Sequence, residues 1–413
     1  MLNFKVTIII LIVILVYKMF VLILDTRSTM RPIPENVKDI YSSEEKDRWD
    51  EYHVNKIIIK TVCLFIEYII LIAMLASKSY AYFAKLFPNT LFMQTLSVVL
   101  LNVGVSFVID IIPEYIDTMI IDKKYGISTK KVKTFIYDEI VGAVISFALT
   151  FLLSYVFGLL HTKLGNYMII LVALLLVIIS LVGNLFVPFF MRIYNKCTPL
   201  EDGELKTRLL ELLDKYGYKV RKISVMNASK RSNEGNAFFS GMGKFKNIVL
   251  FDNIINKLST DEIVAIFAHE LGHGKHKDIF KGFITSIIRL SLIAVVSWLV
   301  IIDKNLYEEF GFNSINYAFS LIILSEVILE FVSPIIGLVS NGVSRKREHA
   351  ADKFACEAGY GEELISALKK LSNTNMNNLN PHPLLVKINY SHPTISLRID
   401  YIEKNIVKEE KND

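Results

Sequence analysis

The sequence predicts a mainly α-helical, polytopic membrane protein: seven transmembrane helices with a polar domain on one side that contains a small β-sheet. Three observations carry this. The 413 residues are 52% hydrophobic, and the mean hydropathy is +0.41, above what a soluble domain of this length needs. Seven apolar runs are long enough to cross a hydrocarbon core of about 30 Å. Between the fifth and sixth runs the pattern turns to mixed polar and apolar segments with strand-like and capped-helix signatures.

The runs are Val6–Leu24, Ile57–Ala76, Leu91–Ile112, Glu139–Leu160, Tyr167–Phe190, Phe283–Ile302 and Tyr317–Asn341. The first is too long for a signal-peptide core and enters Leu24-Asp25-Thr26-Arg27 without a small-x-small cleavage site, so it reads as a retained anchor. Lysine and arginine gather in alternate loops. Arg27, Arg31, Lys38, Lys46, Arg48 and Lys56 follow the first span, and Lys123, Lys124, Lys130, Lys131 and Lys133 follow the third. The positive-inside rule then places the N-terminus outside or in a lumen, and the segment 191–282 and the tail in the cytosol. Glu67, Asn102, Asp110, Asn184, Arg289, Glu326 and Glu330 interrupt the spans. Each is costly in lipid, so each either pairs, as Arg289 with Glu326 or Glu330, or faces a wet chamber.

The formal net charge of +5 sits in these loops, not on one face with interleaved aromatics. No nucleic-acid partner is expected. Cys63, Cys197 and Cys356 show no framework or ligand spacing and read as reduced thiols. The Ile- and Lys-rich composition suits a bacterial cell membrane; a eukaryotic protein of this kind would lie in the endoplasmic reticulum, although Val407–Asp413 carries no retrieval signal.

Within the polar segment Leu205–Lys215 reads as a helix. Lys222–Met226, Asn236–Ser240 and Asn247–Phe251 read as strands, with Gly241, Gly243 and Lys244 as turn formers. Asn236–Ser240 is a candidate edge strand, the kind of element to which proteases add an extended peptide. Ser259-Thr-Asp-Glu262 is a capping box. It starts a helix that carries Ala265-Ile-Phe-Ala-His269-Glu270-Leu-Gly-His273-Gly-Lys-His276.

His269 and His273, four residues apart, project from one helix face and can bind a single ion. Glu270 points aside, where it can deprotonate a metal-activated water without serving as a ligand. Zinc suits this donor set. A third ligand is needed. The spacing that would supply a histidine six residues beyond His273 meets Ile279, which excludes it. His276 lies among lysines past Gly274 and reads as a solvated residue. A carboxylate from another helix fits better, and Glu348 and Asp352 share a helix face at i, i+4 as ligand and as partner of a ligand imidazole. By themselves two such acids beside basic residues also fit a solvated, salt-bridged face.

These motifs resemble the type 1 CAAX prenyl proteases, integral-membrane zinc metallopeptidases of family M48. Phe190–Lys206 ("FMRIYNKCTPLEDGELK"), Ser229–Asp252 ("SKRSNEGNAFFSGMGKFKNIVLFD"), the HELGH segment, Ser344–Asp352 and Tyr390–Ile399 ("YSHPTISLRI") follow the family's order. Tyr115–Thr129, with its "DKKYGIST", is similar to its loop after the third span. The resemblance implies seven helices enclosing a water-filled chamber, capped by a cytosolic zinc domain. His269, His273 and Glu348 would hold one Zn2+, and Glu270 would be the general base. Asp352 would orient a ligand histidine. His392 would lie near the tetrahedral intermediate, with Arg398 supporting the same region. Asn236, Ala237 and Phe238 would hold the substrate backbone. His349, where the family usually has an aromatic residue, and Thr394, where a second proline is common, depart from the pattern without removing a catalytic group.

The expected domains are residues 1–190 (spans one to five with their loops), 191–282 (the metalloprotease segment), 283–342 (spans six and seven) and 343–413 (the segment completing the zinc site). The expected substrate is a protein or peptide at the bilayer, prenylated at a C-terminal CAAX cysteine, with loss of the terminal tripeptide. Two alternatives are a membrane-protein quality-control protease with the same chemistry, and a catalytically inactive transporter or channel.

Overall fold

A computed structural model describes residues 3–240 and 246–409. The turn formers Gly241, Gly243 and Lys244 and the side chain of Asn184 lie outside the described residues. Numbering only the longer helices, the membrane part begins with α1 (Phe4–Ser28), α2 (Ser43–Ala76), α3 (Leu91–Tyr115), α4 (Val132–Leu164) and α5 (Met168–Tyr194). Among the described residues six stretches are long and apolar enough to cross a bilayer. One of them, Val132–Gly183, has 52 residues, or ~78 Å of helix, more than twice the hydrocarbon thickness. It breaks at Gly165 (φ 55°) into α4 and α5, and this break restores the seven expected spans. Large apolar residues face outward, Ile288 at 69% and Val339 at 70% exposure, which suits lipid and not water.

Several of the polar residues inside the spans share a cavity. Lys18, Glu67, Asn102, Asp110 and Glu326 line a cavity of about 340 Å³. A second, of about 510 Å³, shares Asn102, Asp110 and Glu326 and adds Glu139. These cavities gather polar groups from several of the interrupted spans. The pairing differs from expectation: Glu330 takes Lys18 of α1 at 2.8 Å, not Arg289. The sequence reading passed over Lys18 because it lies within the first apolar run.

The polar domain is built on β1 (Cys197–Pro199), β2 (Lys222–Met226), β3 (Ala237–Ser240) and β4 (Asn247–Phe251) in the order β1-β2-β4-β3. β2 and β4 run parallel and the outer pairs antiparallel, so β3 is an edge. β1 was not foreseen; three residues ending in proline carry no strand periodicity. Around the sheet lie α6 (Glu204–Lys215), α7 (Thr260–Lys275), α10 (Gly361–Thr374) and α12 (Ile395–Glu409), while α11 (Pro383–Asn389) packs on α9. α8 (Asp278–Ile302) leaves for the membrane, and α9 (Tyr317–Glu357) returns from it through a π-helical stretch at Ile323–Leu329.

The loop after α1 and the first turns of α2 are part of this domain's core. Val37, Ile40, Tyr41 and Trp49 are buried with Phe267, Leu271, Ala355 and Ile399. Trp49 Nε1 donates to the Met376 carbonyl at 2.8 Å. The loop after α3 is held as firmly. Ser128 bridges to Ser232, and Arg231 grips Asp138 with Nε at 2.9 Å and Nη2 at 2.7 Å. The loop after α3 and Asp138 of α4 thereby fix the segment that leads into the edge strand.

Candidate metal centre

α7 begins where the sequence places it. Ser259 Oγ accepts the Glu262 N–H at 3.3 Å, and Glu262 Oε2 accepts the Ser259 N–H at 2.8 Å. The helix then buries Ile263 through Ala268, so its register is fixed by the core. That register turns His269 and His273 to α9. Their rings stand perpendicular, 4.9 Å apart.

α9 supplies Glu348, and the ligand atoms of His269, His273 and Glu348 all lie within 4.8 Å of one another. His269 Nε2 is 3.5 Å from Glu348 Oε2, and His273 Nε2 is 3.3 Å from Oε1. These separations exceed ordinary charge-assisted hydrogen bonds. Glu348 Oε2 is buried with no hydrogen-bond partner among the described residues. Three donors that face one point without bonding each other fit a shared cation, and two imidazoles with one carboxylate fit zinc.

The pocket's field points the same way. Burial and the Arg398 charge both oppose a proton on His269, yet Asp352 and Glu348 outweigh them and hold its pKa up to about 9. A site that stabilises positive charge on an imidazole stabilises a metal cation as well.

Asp352, fully buried, lies 2.9 Å from His269 Nδ1. Arg398 holds that carboxylate with Nε at 3.0 Å and Nη2 at 2.6 Å, and its Nη2 lies 3.3 Å from His269 Nδ1. His392 stands at the mouth with Nε2 3.4 Å from Glu348 Oε1 and its ring 62% exposed. Ser391 Oγ lies 2.9 Å from its Nδ1. Glu270 is half-buried one residue past His269.

Asn236 precedes the edge strand that carries Ala237 and Phe238, and its carbonyl accepts the Phe251 N–H at 3.0 Å. β3 packs beside α7. His276 stands outside the trio as the C-cap of α7. It is half-buried, where a solvated residue was expected, because the chain turns at once into α8. The His349 ring lies against that of Tyr401, centroids 4.4 Å apart and tilted by 40°.

One residue was missed. Asp278 Oδ2 lies 3.0 Å from His273 Nδ1. Two ligand histidines call for two carboxylate partners; Asp352 accounts for one, and the acid five residues past His273 is the sequence signal for the other.

Residues 199–406 match the model of peptidase family M48, and residues 22–196 match that of the CAAX prenyl protease N-terminal region, five membrane helices. The chain belongs to peptidase family M48. CAAX prenyl protease 1 of Saccharomyces cerevisiae is 31% identical over 73% of this chain and 71% of its own. The CAAX prenyl protease 1 homolog of Dictyostelium discoideum is 30% identical over 91% and 90%. The uncharacterized metalloprotease YhfN of Bacillus subtilis is 31% identical over 68% and 66%. The crystal structure of Saccharomyces mikatae Ste24p shares the fold at a TM-score of 0.90 and 24% identity, covering 98% of this chain and 100% of that one.

As an M48 member the protein is an integral, multi-pass membrane zinc metalloprotease that acts on peptide substrates, with His269, His273 and Glu348 as its candidate zinc site. The inactive transporter or channel is thereby set aside.

Proposed function

We propose that this M48 protease cleaves prenylated proteins at the membrane, releasing the C-terminal tripeptide after the lipidated cysteine. The supporting observation is the join of the His269–His273–Glu348 trio to an N-terminal half matching the CAAX prenyl protease five-helix model. A lipid-anchored substrate reaches such a site along the bilayer.

His269, His273 and Glu348 would hold one zinc ion. Bound zinc supplies a Lewis acid for the scissile carbonyl and lowers the pKa of water to about 7. Glu270 takes the proton from the attacking water and delivers it to the leaving amine. His392 donates a hydrogen bond to the oxyanion as charge develops there. Asn236, Ala237 and Phe238 receive the substrate backbone along the open sheet edge. Asp352 orients His269, and Arg398 supports the region from beneath through Asp352.

The Lys- and Arg-rich first and third loops support a cytosolic metalloprotease domain and C-terminus, with the N-terminus on the opposite side. The four segments 1–190, 191–282, 283–342 and 343–413 then alternate between membrane and domain, and the start of α2, with Trp49, joins the domain.

The test is full-length protein in nanodiscs, assayed for zinc content and for cleavage of a farnesylated CAAX peptide beside its unprenylated form. About one zinc per chain and cleavage of the farnesylated peptide are expected. Zinc-loaded protein that cleaves only unprenylated membrane proteins moves the assignment to quality control.

A further inference from the structure

The two ligand histidines are held by different parts of the molecule. His269 leans on Asp352 of α9. His273 leans on Asp278, the first residue of the membrane helix α8. Asp278 is only 9% exposed, and its second oxygen is enclosed without a hydrogen-bond partner among the described residues. The nearest cations to that oxygen are Arg347 Nε at 3.6 Å and Lys281 Nζ at 3.9 Å. A carboxylate that only complemented the dipole of α8 would remain in solvent; burying it is costly unless a specific partner holds it there.

The backbone is bent to make the contact. α7 ends at Lys275, and Lys277 adopts φ 57°, a left-handed conformation uncommon for a residue with a side chain. That turn brings Asp278 back onto the imidazole of His273, five residues earlier. Such strain persists where the surroundings over-determine it.

We propose that Asp278 is the positioning residue of His273. It accepts the Nδ1–H, which fixes the tautomer with Nε2 turned to Glu348, and it ties the imidazole to the first turn of a membrane helix. A shift of α8 within the bilayer is thus transmitted to His273, whereas His269 is held by the polar-domain end of α9. The neighbour of Arg347 in sequence is Glu348 itself, so the same carboxylate faces the two helices that carry the trio. This inference rests on the zinc-site reading.

The experiment measures zinc retention by full-length protein in nanodiscs against a graded chelator series, with the visible spectrum of the cobalt-substituted form as a second readout. Asp278→Ala should weaken zinc affinity about 10- to 100-fold and change the cobalt spectrum. Asp278→Asn, whose carbonyl still accepts the Nδ1–H, should recover part of the loss. In excess chelator both variants should unfold near the wild-type temperature. Wild-type affinity and spectrum in Asp278→Asn and Asp278→Ala overturn the proposal, as does a lowered unfolding temperature in chelator with affinity unchanged, which is the mark of a structural role. If Asp278→Ala does not fold, Asp278→Asn decides alone: weakened affinity with an altered spectrum supports the proposal, and wild-type values overturn it. A wild type that binds no zinc removes the zinc-site reading and this inference with it.

Discussion

Gly272 of α7 lies against the backbone of Ala351 of α9: a Cβ built on Gly272 would stand 3.0 Å from the Ala351 Cα and 3.1 Å from the Phe354 Cβ. The helix with two histidines and the helix with Glu348 are therefore spaced by a missing side chain. Ala351 is fully buried and has no flexible end to swing away. Gly272→Ala should push the helices apart, at an overpacking cost of about 1–3 kcal/mol, and spread the trio. Thermal unfolding together with zinc content checks this. An alanine variant with wild-type values of both would show that the contact yields without consequence.

Glu270 as the proposed base allows metal binding and chemistry to be tested apart. It stands beside His269 without belonging to the trio of converging ligand atoms. Glu270→Ala should keep its zinc and lose about 10²- to 10⁴-fold in turnover, the usual share of a general acid–base group. Metal analysis and peptide cleavage on the same preparation test this. Loss of zinc in step with activity would make Glu270 a structural residue instead.

Much of this was legible because membrane spans and zinc helices obey strong local rules. Apolar run length gave the spans, and the Ser259–Glu262 box with the His269–His273 spacing gave α7 and two ligands. What was not legible is tertiary. Lys18 pairs with Glu330 across 312 positions of chain, Trp49 enters a core shared with α7 and α12, and Gly272 matters only once α9 is known to lie against it. Periodicity reports which face of an element is buried but not against what. Asp278 lies between these cases: its residue type was visible, while its return to His273 depends on the Lys277 backbone.

The open edge of the sheet makes its own prediction. Because the Asn236 carbonyl takes the Phe251 N–H, strand alternation turns the Ala237 N–H away from β4, where it meets Asn236 Oδ1 at 2.8 Å. Proline is tolerated at such an outward position. Ala237→Pro should therefore keep the β3–β4 ladder and the zinc content while removing an N–H that an added peptide strand would take over from Asn236 Oδ1. A fall in kcat/KM of about tenfold corresponds to one hydrogen bond of ~1.4 kcal/mol. Unchanged kinetics in a folded, zinc-loaded variant would move the substrate away from this edge.

Glu262 links the start of the zinc helix to α10 and carries a pH signature. It is 4% exposed; Oε1 takes Ser366 Oγ and Lys370 Nζ, each at 2.6 Å, while Oε2 caps Ser259. Burial by itself would raise its pKa, but the bonds from Lys370, Ser366 and Ser259 outweigh it and hold the pKa below the ordinary value, which is about 4.3. A carboxylate depressed on folding contributes stability above its unfolded pKa and loses it as pH falls through the folded one. Glu262→Gln should thus cost about 1–3 kcal/mol at neutral pH, and the gap to wild type should narrow as pH drops below about 4.3. Unfolding temperatures of both proteins, taken in excess chelator so that zinc release does not enter, test the sign. A gap that widens on acidification would overturn the assignment of Glu262 as a charged link.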